Sequence, residues 1–234
     1  MRCLALLVSL GFFSPRGLLA ADSDFGQLLE KRCPDALREH EALAKQDRQP
    51  PINPSRPALA AEIKSMLDED QRARNHLIAA MKENPDELPA DDPAQIETRA
   101  VDSRNLGRLK HIVKQDGFPT VGMVGYEGVS NAFLLVQHAD TDLAFQQQML
   151  KIFSKRLKAG GIKGSQYAML TDRVLTNSHR LQRYGTQFEE GEGGYRPQKI
   201  EDEKHVDARR RALGMISLKN YTCEIEVMYG RGHD

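Results

Sequence analysis

The strongest constraint on this chain's fold is a helical repeat of apolar residues cut into lengths by proline and glycine. From Pro57 onward, Leu59, Ile63, Met66, Leu77 and Met81 recur at helical spacing until Asn84-Pro85 stops the run. After a Pro/Asp-rich loop over residues 85–93, a second helix starts with Pro93 in its first position and carries Ile96, Val101, Leu106, Leu109 and Ile112 to Gly117. The pattern predicts further helices over 129–139, 142–159, 165–177 and 202–213. The tail over 217–229 carries two periods. Leu218, Tyr221, Ile225 and Met228 make a helical stripe, whereas Cys223, Ile225, Val227 and Tyr229 alternate as in a strand. Helix is the preferred reading, because a lone strand finds few pairing partners here. The expected fold class is all-α: a mostly helical single domain with irregular Gly/Pro-rich connections and room for a short strand at the C-terminus.

Two connections have their own character. Residues 118–128, FPTVGMVGYEG, follow Gly117 and hold three more glycines, which predicts an irregular turn. Those glycines match neither GxxxxGK nor GxGxxG, so the turn is no phosphate loop. Residues 182–198 read as a polar loop with a mobile EEGEGG tip.

The amino terminus speaks to destination. Arg2 precedes an apolar run to Phe13, and the stretch closes on Leu19-Ala20-Ala21, the pattern of a signal peptide over residues 1–21. The run is too short to span a bilayer, and no later stretch approaches that length, so a periplasmic or secreted chain without a transmembrane segment is expected. Residues 22–56 then form an N-terminal helical extension, broken at Pro34, with a Pro-rich linker, and 57–234 the helical domain. The 33 basic side chains balance 33 acidic ones, so bulk charge points to no nucleic acid. Export leaves Cys33 and Cys223. A bridge between them would stabilise by about 4–5 kcal/mol in the chain-entropy model, but two cysteines have no spacing pattern that separates a bridge from two independent thiols.

Function must come from polar residues placed where a core wants apolar ones. Asp70 falls within the stripe of the Pro57 helix, Arg210 shares a stripe with Val206 and Leu213, and His138 follows Leu134 and Leu135. Asp140, Asp172-Arg173, Tyr184, Gln187 and Asp207 complete the set. If these converge on one cleft, His138 is a general acid or base oriented by Asp140 or Asp172. Asp70, Arg173, Tyr184, Gln187, Asp207 and Arg210 then contact the ligand, with the guanidinium groups holding an anion. Such a protein would act as a hydrolase-type enzyme on a small-molecule or cell-envelope ligand. The alternative is a non-catalytic binding or interaction module whose buried ion pairs are structural. A third reading gives His138, Asp140, Asp70 and Asp172 to a divalent metal, although no HExxH or Cys/His array is present.

The motifs QHAD at 137–140, LTDR at 170–173, QRYGTQ at 182–187 and VDARR at 206–210, in that order, resemble an uncharacterised bacterial family, domain of unknown function 6624. Asp70-Gln71 with Arg72, Asp102 with Asn105, and the Gly117-Phe118-Pro119 turn with Val121-Gly122 add to the likeness, which covers about residues 60–222. The resemblance implies no reaction. It favours the polar set acting as one site, because the motifs lie on separate helices and a loop.

Overall fold

A computed structural model describes residues 24–45, 49–84, 88–191 and 193–229. The segment 1–21 read as a signal peptide, the start of the 85–93 loop and the tip residue Glu192 lie outside them. The elements are α1 (Asp24–Arg32), α2 (Pro34–Ala44), α3 (Pro57–Glu83), α4 (Pro93–Asp116), α5 (Val121–Gln137), α6 (Leu143–Lys158), α7 (Gly164–Asn177), β1 (Phe188–Gly191), β2 (Gly194–Pro197), α8 (Val206–Ala212) and α9 (Leu218–Tyr229). The described residues are thus mostly helical with a small two-stranded hairpin. No described helix is long and apolar enough to cross a membrane.

The chain divides into two compact units, residues 51–161 and residues 1–50 with 162–234. In the first, α3 and α4 pack along their length, and side chains of α4 bond the backbone of α3. Thr98 Oγ1 donates to Ala73 O (3.3 Å) and the buried Asn105 Nδ2 to Met66 O (3.1 Å). Ile63, Leu109, Ile112 and Phe133 fill the core, each worth about 1.5–3 kcal/mol when fully buried. Phe118 meets Phe153 edge-on at 4.7 Å, and Arg156 lies over the Phe118 ring while donating to the carbonyls of Phe118 and Pro119. Side chains start the helices: Asp92 accepts from Ala94 N, Thr120 from Met123 N and Asp142 from Phe145 N.

The predicted turn over 118–128 is mostly helix, and here the expectation is corrected. Thr120 caps α5, which kinks at Gly125, where φ is 75°. The kink frees backbone carbonyls of the first turn, and the linker satisfies them: Ser55 N donates to Gly122 O and Arg56 N to Met123 O, both at 2.9 Å.

In the second unit, residues 218–229 are helix, so the strand that their alternation allowed is absent there. The strands lie instead in the segment read as loop, where Phe188 pairs with Pro197 and Glu190 with Tyr195 in an antiparallel register. Phe188 packs with Ile216, Tyr221 and Ile225, which gives the hairpin an apolar anchor. Gly164 opens α7 against Leu213, whose carbonyl oxygen would lie 2.1 Å from any Cβ added there. Cys33 and Cys223 form a disulfide across 190 positions, a bond that persists in oxidising, extracytoplasmic surroundings.

Candidate functional site

In the unit spanning 51–161, the polar residue within the α3 stripe finds its partner at the end of α5. His138 caps that helix, and its Nδ1 lies 2.7 Å from Asp70 Oδ1. Both side chains are enclosed, at 2% and 1% exposure. One turn along α3 from Asp70, Arg74 spreads its fork over the group. Its Nε faces His138 Nδ1 (3.0 Å) and Asp70 Oδ2 (3.3 Å), while Nη2 donates to Asp102 Oδ1 on α4 (2.7 Å) and lies 3.3 Å from Asp70 Oδ1. Gln71 Nε2 donates to Asp70 Oδ2 (2.8 Å).

His138 Nδ1 cannot both donate to Asp70 and accept from Arg74. The shorter contact places the Nδ1 hydrogen toward Asp70, and Arg74 Nε turns to the carboxylate.

The electrostatics separate the two carboxyls. Burial pushes Asp70 up, but the charge and hydrogen bond of His138, then Arg74 and Gln71, outweigh it and hold the pKa at about 2. Burial also pushes Asp102 up, and there it wins. Arg74 opposes it, but repulsion from Asp70 and Asp140 adds to it, and the pKa stands at about 6. Asp102 and Arg74 are the open edge, with side chains 20% and 18% exposed. Asp70 has both oxygens engaged, whereas among the described residues nothing bonds Asp102 Oδ2.

Asp140 serves a neighbouring bond. It accepts from the buried Gln146 Nε2 (3.1 Å), which also faces the carbonyls of Val136 and Gln137 at the end of α5. The carboxylate on His138 Nδ1 is therefore Asp70, which the sequence placed among ligand contacts.

The remaining predicted residues, Asp172, Arg173, Tyr184, Gln187, Asp207 and Arg210, belong to the other unit. They work mainly on backbone. Buried Asp172 accepts at Oδ1 from the amides of Arg183 (2.7 Å) and Tyr184 (3.0 Å). Its Oδ2 takes the amide of Thr186 (3.0 Å) and that residue's hydroxyl (2.9 Å). Burial raises its pKa against those bonds. Arg210, fully buried, donates through Nε to Ile216 O and through Nη1 to Tyr184 O, both at 2.7 Å, and stacks 4.8 Å above the Tyr221 ring. Burial lowers its pKa. Asp207 accepts from Leu218 N (2.7 Å) at the start of α9. Gln187 N donates to Gln182 Oε1 (2.9 Å), and Gln182 Nε2 answers to Gln187 O (2.9 Å). Arg173 is buried on α7.

Sequence reasoning passed over Arg74 and Asp102 as site residues. Arg74 had a signal, its i+4 spacing from Asp70 on one helix face. Asp102 had only its place in the family motifs. Among the described residues, no group of three or more His, Cys, Asp or Glu is arranged to hold a metal ion.

The motifs that bear this geometry run the length of a family model. The model of a family of unknown function, DUF6624, matches residues 57–232. The chain belongs to that family. No curated protein and no solved structure matches it. The DUF6624 match takes in every residue of both polar clusters and begins at the first residue of α3, so α1 and α2 lie outside it.

Proposed function

We propose that this DUF6624 chain is an exported binding module, in which buried ion pairs hold the fold and the Arg74–Asp102 edge contacts the ligand. The observation that carries this reading is the enclosure of His138 at 2% exposure with Asp70 on its Nδ1. A general acid or base needs to reach a substrate proton, and a side chain so enclosed is better suited to pinning α5 against α3. The ligand's chemistry follows from which atoms are available. Arg74 already serves Asp70 and Asp102, and Arg210 is fully buried with Nε and Nη1 on main-chain carbonyls, so the exposed edge has no surplus cation for an anion. Asp102 Oδ2 offers an acceptor at the edge, which suits a small molecule or cell-envelope fragment bearing amine or hydroxyl donors. Export is part of the same proposal, supported by the leader-like residues 1–21 and the Cys33–Cys223 bridge.

A second reading has one observation in its favour. Asp70 at about 2 and Asp102 at about 6 are carboxyls driven apart by their surroundings, the division of labour that acid–base enzymes use. In that case Asp102, and not His138, exchanges the proton of a hydrolase-type reaction.

Calorimetric titration of the chain with amino sugars, polyols and peptide amines, beside Asp102→Ala and His138→Ala, tests the proposal. Asp102→Ala is expected to lose the heat of binding without lowering the melting temperature at neutral pH, because it removes a carboxyl whose ionisation burial opposes, and His138→Ala to lose melting temperature. A His138→Ala protein that melts like the parent yet loses binding or turnover overturns it in favour of a His-centred site.

A further inference from the structure

We infer that α1 and α2 form a redox-latched strap over α9, held by one covalent bond and the noncovalent contacts around it. The strap lies outside the family match, yet it covers the last helix inside that match. Leu29, Cys33 and Ala36 are buried together, with Cys223 and Val227 of α9 packed against them. Leu43 of α2 reaches the cluster of Phe188, Ile216, Tyr221 and Ile225. Polar bonds fasten the same two surfaces. His40 Nε2 meets Glu224 Oε1 at 2.6 Å, and Ser217 N donates to Glu39 Oε2 at 2.6 Å, just ahead of α9.

These contacts fasten two short helices. The helices have 9 and 11 residues, and isolated helices shorter than about 12–15 residues are marginal in water. Their docked state therefore depends on being kept close, which the Cys33–Cys223 bond does across 190 positions of chain. A dithiol reductant supplies the opening step. Its thiolate attacks one sulfur, the S–S bond breaks, and its second thiol resolves the mixed disulfide. The reductant leaves oxidised by two electrons, and Cys33 and Cys223 are left as thiols. Opening exposes the α9 strip around Cys223 and Val227 and frees Glu224 from His40.

Hydrogen exchange on the full chain, oxidised and after dithiol treatment, tests this, with thiol labelling to establish that both cysteines are reduced. Reduction is expected to speed exchange about tenfold or more in α1, α2 and α9 while residues 57–158 keep their protection. Cys33→Ser should reproduce the reduced pattern without reductant. Unchanged protection of α1 and α2 in the labelled, reduced protein overturns the latch, since the strap would then hold without it. Loss of protection throughout 57–158 overturns it as well, since the bond would then support the whole fold and not a local cover.

Discussion

The two polar clusters use the same residue types for opposite purposes. In the unit spanning 162–234, Asp172, Arg210 and Asp207 bond main-chain amides and carbonyls, standing in for secondary structure where the chain between α7 and α9 turns through loops. In the unit spanning 51–161, His138, Asp70, Arg74 and Asp102 bond one another, and the helices around them already satisfy their own backbones. The first arrangement is tied to the main chain: Asp172 and Asp207 accept from amides, and Arg210 gives Nε and Nη1 to carbonyls. The second is graded, from an enclosed imidazole to a carboxyl oxygen at the surface. A buried charge that serves backbone is a fold determinant, whereas a chain of side chains with one open end has something left to offer a ligand.

Substitution should separate the two most clearly where backbone is orphaned. Asp172→Ala leaves the amides of Arg183, Tyr184 and Thr186 without their acceptor, and Arg210→Ala strands the carbonyls of Ile216 and Tyr184. Each is expected to cost about 3–5 kcal/mol in urea unfolding. A loss below about 1 kcal/mol would erase the contrast. His138→Ala should cost somewhat less, about 2–4 kcal/mol, because Asp70 keeps Arg74 and Gln71.

The pH dependence of stability gives the next effect, with limbs of opposite sign. Asp70, depressed to about 2, stabilises the fold above the ordinary carboxylate range, and that contribution is lost as pH falls from about 4 toward 2. Asp102, raised to about 6, is protonated more readily in the folded chain than in the unfolded one. Its contribution therefore falls as pH rises from about 4 to about 6. Each limb is on the order of 2–3 kcal/mol, and Asp102→Asn should flatten the second alone in denaturation curves taken at several pH values. The smallest effect belongs to the exposed Arg104–Glu69 pair at 3.4 Å, where Arg104→Ala should move stability by under about 0.5 kcal/mol.

Much of the fold was legible because proline and glycine mark its joints. Pro57 and Pro93 stand at the first positions of α3 and α4, and Gly117 closes α4. The stripe positions of Asp70 and Arg210 correctly announced buried charge. Local pattern failed where tertiary contact decides. The hairpin is written in Glu and Gly and forms because Phe188 has Tyr221 to pack against, with ring centroids 5.6 Å apart. Residues 118–128 look like a turn by glycine content, yet Thr120 caps a helix there and Gly125 alone breaks it. Within the site, the Asp70–His138 bond joins positions far apart in sequence, and no spacing rule could choose Asp70 over the nearer Asp140.

The bridge between Cys33 and Cys223 also sets an order of events in the life of the chain. The two sulfurs are encoded 190 positions apart, so the bond closes only after every residue between them has been translated. A copy that stops before Cys223 carries Cys33 without this mate. Oxidative closure therefore marks a molecule made at least as far as Cys223.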